Sequence, residues 1–332
     1  MHRILSSFAI TLFLFGIGTA QAGSRPADVP DGMGPLPAVA PIPADNPMSA
    51  GKIELGKKLY FDPALSKSGN ISCNSCHNLA NGGVDNQRFS IGHLWQHGGR
   101  NAPTVLNSAF WTTQFWDGRA PQLEDQAKGP PMNPVEMADD NPKQLMARLK
   151  DAGYAPLFSK VFGKNSLNYD NMAKAIAAFE RTLLTPDAPF DRYVRGEADI
   201  SKAAKRGMRK VDEIGCTGCH SGPLFTNNSF QRFDYGTDAG RKAVTGKAED
   251  DHFFRVQSWR NVALTAPYFH DGSVATLDEA VRIMAKKQLD TDLSNKDVSD
   301  IVAFLNTLTG TQPEVIYPLL PRPAGRALDF RD

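Results

Sequence analysis

The chain has 332 residues, 41% of them hydrophobic, and sets 37 basic side chains against 36 acidic ones for a net charge of +1. That length holds two domains of ordinary size. The even charge gives no support to a nucleic-acid partner, which needs a concentrated basic face, and a count of only four cysteines argues against a disulfide scaffold.

Met1-His2-Arg3 leads into an apolar run from Ile4 to about Gly18, which closes with Ala20-Gln21-Ala22. A basic start, a short greasy centre and an A-x-A end predict a secretory signal peptide over residues 1–22. The run is shorter than the ~20 residues of a membrane-spanning helix. The expectation is an exported periplasmic protein with no membrane anchor after cleavage. Residues 23–48 are rich in Pro, Ala and Gly and read as an extended N-terminal arm. From Ser49 to Tyr60 the spacing predicts a helix, with Leu55 and Leu59 one turn apart, stopped by Phe61-Asp62-Pro63.

Next comes Cys73-Asn74-Ser75-Cys76-His77, repeated later as Cys216-Thr217-Gly218-Cys219-His220. C-x-x-C-H is the attachment signal of a c-type haem: the two thiols add to vinyl groups and the adjacent His supplies an axial nitrogen. The alternatives are vicinal disulfides or a zinc site. Zinc signatures bring their Cys pairs within ~15–20 residues, whereas these pairs lie 143 apart (216 minus 73). Two covalent haems, attached through Cys73, Cys76, Cys216 and Cys219, follow.

Residues 78–141 are dominated by Gly, Asn, Pro and aromatics, a stretch of little regular structure that a haem gives something to wrap. Met172, Ile176, Phe179 and Leu183 then share a helical face, ended by Thr185-Pro186. The domain boundary is placed between 187 and 188, giving domains at 49–187 and 188–332. Further helices are predicted from Ser201, from the capping box Thr276-x-x-Glu279, and from Ser294. Strand signals are nearly absent. The predicted class is all-α, two cytochrome c-like haem domains in tandem with long haem-wrapping loops.

The halves also repeat outside the haem motifs. Arg100-Asn101 is matched to Arg260-Asn261, and Phe115-Trp116-Asp117-Gly118 to Phe269-His270-Asp271-Gly272, with a constant offset of 154 from Asp117 onward. In the second copy a helix carries Met284, the only methionine after Met208 and the natural sixth ligand of the second haem. The equivalent residue of the first copy (284 minus 154) is Pro130, inside Gly129-Pro130-Pro131, a run expected to break the helix. The first haem is therefore expected to have an open face, with Glu136 and Met137 in the loop beyond it.

These residues resemble the bacterial dihaem cytochrome c peroxidases over nearly the whole mature chain. Cys73 to Leu79, Ser90-Ile91-Gly92-His93, Ala102 to Asn107, Phe115 to Arg119, Asn133 to Met137, Gly215 to Ser221 and Thr265 to Gly272 carry the likeness. The resemblance implies reduction of hydrogen peroxide to water (EC 1.11.1.5) with electrons from a small periplasmic cytochrome c or blue copper protein. It implies that His77 holds the low-potential peroxidatic haem, and that His220 with Met284 holds the high-potential haem where electrons enter. It gives His93 the part of a removable distal ligand, Glu136 that of distal acid and base, Gln126 that of orienting peroxide, and Trp116 a place between the haems. Asn101, Thr265 and Pro267 match a calcium site between the domains, and the family likeness also implies a homodimer. Two rivals stand beside this reading: a dihaem electron carrier without turnover, and the related enzyme that matures a tryptophan-derived quinone, which carries a Tyr where this chain has Met284.

Overall fold

The computed structural model describes residues 24–321; the expected signal peptide lies outside them. Each half is built on two crossing helices. In the first half, Ser49 caps Ala50–Phe61 by accepting from the Lys52 amide, and Leu55, Leu59 and Tyr60 are buried. The partner Tyr169–Glu180 buries Met172, Ile176 and Phe179 against it. In the second half, Ser201 caps Lys202–Glu213 and Ser294 caps Asn295–Asn306. Both crossings run through a glycine. A Cβ on Gly56 would lie 1.8 Å from the Ala175 carbonyl oxygen, and one on Gly207 would lie 1.9 Å from that of Asp300. Only a residue without a side chain lets the backbones approach so closely.

The two ends of the described chain strap the opposite halves. In the N-terminal arm, Val29 and Met33 join the apolar core of the second half around Phe190, Met208 and Phe304. At the other end, Val315 packs on the first-half cluster of Tyr60 and Phe61, and Lys58 Nζ donates to the Leu319 carbonyl at 2.7 Å.

Several elements depart from expectation. Pro142–Asp151, Ala155–Phe162 and Pro189–Val194 are helices that the apolar pattern did not announce. The first buries only Leu145 and Leu149, too narrow a stripe to register, although Asn141-Pro142 is a cap followed by a proline at the first helical position. Tyr169–Glu180 stops short of Thr185-Pro186. A small antiparallel pair, Phe230–Arg232 with Phe253–Arg255, interrupts the helical pattern. Gly129-Pro130-Pro131 was expected to be a breaker, but Gly129–Met132 forms a helical turn of its own. Proline is tolerated there because first-turn amides have no helical acceptor in any case. What survives of the expectation is that the single helix Leu277–Leu289 of the second half corresponds to two short turns, Leu123–Gln126 and Gly129–Met132, in the first.

The repeat register also needs correction. Asn261 pairs with Asn107, not Asn101, so the 154 offset holds upstream of Asp117 as well. Asn107 and Asn261 share φ of 61°, and Phe115 and Phe269 share φ of 69°. Their side chains meet at one atom: Asn107 Nδ2 and Asn261 Nδ2 each donate to Thr185 Oγ1 at 2.8 Å. A hydroxyl oxygen has two acceptor lone pairs and takes both bonds. The junction is sealed by a reciprocal pair of backbone bonds, Asn101 N–H to His270 C=O and Arg255 N–H to Trp116 C=O, both 2.8 Å. Residues 101 and 255, and 116 and 270, are thus images of one another.

Replacing Gly56 or Gly207 with Ala should lower stability by about 1–3 kcal/mol or more, the usual cost of overpacking. Denaturant unfolding of each variant checks this; an unshifted midpoint would contradict the close crossing.

Candidate active site

The second-half motif folds as the short turn Cys216–Gly218, entered through Gly215 at φ 91°. That left-handed step, which glycine takes without strain, aims Cys216, Cys219 and His220 into a cavity of roughly 400 Å³, also lined by Leu277, Val281 and Met284. The expected thioether and imidazole therefore share one cavity. His220 stacks on Trp259 at 4.3 Å, and its Nδ1 faces the Phe225 carbonyl at 3.1 Å. Burial pushes its pKa down to about 4, against the opposing pull of the Phe225 and Gln257 backbone. A neutral imidazole with Nδ1–H donated to a carbonyl leaves Nε2 free to bind a metal.

In the first half, Cys73–Cys76 is a single helical turn whose entry is fixed by Ser72 N–H donating to Ser75 Oγ at 3.0 Å. Tyr60 donates to the His77 carbonyl at 2.6 Å, and burial holds the His77 imidazole low, opposed by Asp85 and by the Pro103 and Gly83 backbone. None of the four cysteines is paired in a disulfide, which removes the vicinal-disulfide alternative. Burial pushes Cys76 and Cys216 up to about 11 and raises Cys73 and Cys219 as well. Two half-buried cysteines next to a half-buried histidine at each turn suit the attachment of haem. The zinc alternative loses support, since no three His, Cys, Asp or Glu side chains among the described residues group as a metal cluster.

Glu136 comes to the first-half motif. Its charge is felt at the Cys76 thiol, and burial raises its pKa, opposed by Arg119 and by a 2.7 Å hydrogen bond from Asn133 Nδ2. Asn133 also holds the local turn by accepting from the Val135 amide at 3.1 Å. Asn133 and Arg119 stand inside the matched stretches with no role of their own assigned there; the signal for Asn133 is an Asn-Pro turn with a carboxylate three residues on. His93 lies on the same loop pair. Its N–H donates to the Glu136 carbonyl at 2.8 Å, and a Cβ on Gly92 would meet the Val135 carbonyl at 2.1 Å. Beyond it, Leu94 and Trp95 hold φ of 54° and 63° with side chains 74% and 83% exposed. Two successive non-glycine residues in the left-handed region cost of order 1–3 kcal/mol each, and their apolar side chains gain no cover in return. Gln126 ends the turn Leu123–Gln126, half-buried, and its side chain makes no hydrogen bond among the described residues.

Trp116, Asn101, Thr265 and Pro267 gather on the junction side of the second-half cavity. Trp116 Nε1 donates to the Asn101 carbonyl at 2.8 Å, and its ring stands 6.2 Å from that of His270. Asn101 Nδ2 donates to the Gln87 carbonyl at 2.9 Å. The Asn101 side-chain oxygen and the Thr265 and Pro267 carbonyls accept no hydrogen bond among the described residues, and all three residues line the one cavity. Arg255, which no motif of the sequence marks, is 1% exposed and lines the same cavity.

The protein-family description "Di-haem cytochrome c peroxidase" matches residues 50–199. The chain is 44% identical to cytochrome c551 peroxidase of Nitrosomonas europaea over 96% of each chain. It is 45% identical to cytochrome c551 peroxidase of Pseudomonas aeruginosa over 86% of this chain and 87% of that one. Among solved structures, a MauG-like protein associated with microbial copper homeostasis superposes with a TM-score of 0.76 at 30% identity, covering 86% of this chain and 96% of that one. With two C-x-x-C-H turns and neutral buried imidazoles in place, the chain belongs to the di-haem cytochrome c peroxidase family and is a cytochrome-c peroxidase.

Proposed function

We propose that the chain reduces hydrogen peroxide to water, with two protons and with two electrons from a small periplasmic carrier, a c-type cytochrome or a cupredoxin. The carrying observation is the inequality of the two halves. One continuous helix brings Met284 to the cavity that His220 also lines, whereas the image of Met284 is Pro130 and the first half offers a half-buried carboxyl, Glu136, whose charge reaches Cys76.

Haem bound at each C-x-x-C-H turn supplies redox-active iron, with Cys73, Cys76 and His77 holding one group and Cys216, Cys219, His220 and Met284 the other. His220 and Met284 would both hold the second group, and an imidazole with a thioether would raise its potential and suit it to electron entry. Splitting O–O unevenly requires a proton to move from the near oxygen to the far one. Glu136 is the base and then the acid for that transfer, and Gln126 orients the peroxide. Asn133 holds one carboxyl oxygen of Glu136, so the other is presented to substrate.

His93 closes the first site in the resting protein. Its strained, water-exposed neighbours Leu94 and Trp95 favour release of the loop once an electron has entered the second half. Trp116 bridges the halves. Asn101, Thr265 and Pro267 bind a calcium ion through neutral oxygens completed by waters, a ligand set of modest affinity. The division at residues 187/188, the signal peptide, periplasmic residence and a homodimer complete the reading.

A Glu136→Gln protein should lose about 10²–10⁴-fold in peroxide turnover with its visible spectrum unchanged; turnover at the parent rate would refute the acid–base role. Because burial raises the Glu136 pKa and the base form is needed first, parent turnover should fall as pH drops through a value above the ordinary ~4.3 of a glutamate. A profile flat down to that value would contradict it. Met284→Ala should lower the potential of the second haem in a spectroelectrochemical titration, and an unmoved potential would remove the thioether from the iron. His93→Ala should let the fully oxidised protein react with peroxide without prior reduction, measured by stopped flow; continued dependence on reduction would take His93 out of the gate.

A further inference from the structure

The correspondence across the junction sets two positions against each other. At the first stand Asn101 of one half and Thr265 and Pro267 of the other. Their images, 154 residues away in each case, are Arg255, Trp111 and Thr113. The Trp111 and Thr113 carbonyls, like those of Thr265 and Pro267, accept no hydrogen bond among the described residues. Here the register position carries a guanidinium: the Arg255 Cζ stands 4.1 Å from the centre of the Trp111 ring, without donating to either carbonyl.

Arg255 is an unusual cation. It is 1% exposed, and it donates only to neutral oxygens: Gln257 Oε1 at 3.1 Å and the Phe115 and Val256 carbonyls at 3.4 Å. Among the described residues no carboxylate pairs with it, and burial pushes its pKa down to about 9. A buried charge so placed is costly unless an anion balances it. Asn101, Thr265 and Pro267 likewise offer a cation neutral oxygens and no acid. Asn101 and Arg255 both line the cavity of the second C-x-x-C-H turn, where the propionates of a bound haem would bring negative charge.

We propose that Arg255 is a built-in cation at the pseudo-two-fold image of the Asn101, Thr265 and Pro267 position, so that the junction carries one fixed and one exchangeable positive charge. The proposal rests on reading the latter position as a calcium site. One register position then decides the source of the charge: arginine brings it with the chain, and asparagine leaves it to be drawn from solvent.

The test is calorimetric titration of calcium into calcium-stripped holoprotein, for the parent, Arg255→Asn and Arg255→Lys. The expected stoichiometries are one ion for the parent, two for Arg255→Asn and one for Arg255→Lys. A parent that binds no calcium overturns the calcium reading and, with it, the exchangeable half of the proposal. A parent and an Arg255→Asn protein that both bind one ion leave the calcium reading standing and overturn the role of Arg255. If Arg255→Asn is too unstable to titrate without calcium, its unfolding midpoint is followed against calcium concentration instead. An ion that replaces the guanidinium restores stability with the steeper dependence of two bound ions. Stability that calcium does not restore beyond the parent's one-ion dependence marks Arg255 as packing alone and overturns the proposal.

Discussion

One hydroxyl holds the two halves in register. Thr185 Oγ1 accepts from Asn107 of the first repeat and Asn261 of the second, and the amides of Thr185 and Gly310 return the bond to those asparagines at 2.9 and 3.2 Å. The images cannot be identical here, because Thr185 and Gly310 come to the same place. A Cβ on Gly310 would lie 1.9 Å from the Thr185 carbonyl, so one copy keeps the side chain and the other gives it up. Buried amide groups left without partners cost about 1–3 kcal/mol each. The arrangement is therefore tightly specified, and the loops leading to both C-x-x-C-H turns inherit its geometry.

Against that symmetric frame, the functional differences are local. A continuous helix presents Met284 to the second cavity; two short turns in the first half leave the corresponding place to proline and bring in a loop carrying Glu136. Trp116 and His270 are images, as are Asn101 and Arg255. Duplicated backbones thus carry unlike side chains at matching positions, which is the ground for proposing that one half passes electrons and the other admits the oxidant. The same economy extends to the straps, where each end of the described chain stabilises the half it does not belong to.

Much of this was legible from residues whose chemistry is tied to their spacing. The C-x-x-C-H turns, the serine and threonine caps at Ser49, Ser201, Thr276 and Ser294, and Met284 on the Leu277/Val281 face all stand where the pattern put them. The misses have physical reasons as well. Helix 142–151 buries too few side chains for its period to show, and Gly129–Met132 uses prolines where a helix start tolerates them. Matching Arg100-Asn101 to Arg260-Asn261 by letter missed the true image, because the conserved feature is a left-handed backbone at Asn107 and Asn261 rather than a dipeptide. Arg255 could not be found at all without the fold, since its meaning lies in what faces it across the junction.

The central claim is that the first site can open whereas the second stays capped. Spectroscopy of the holoprotein titrated with one electron per molecule tests it most directly. The account predicts that the His77 iron loses its sixth ligand on half-reduction while the His220 iron keeps its thioether. Both irons remaining six-coordinate in every redox state would contradict it.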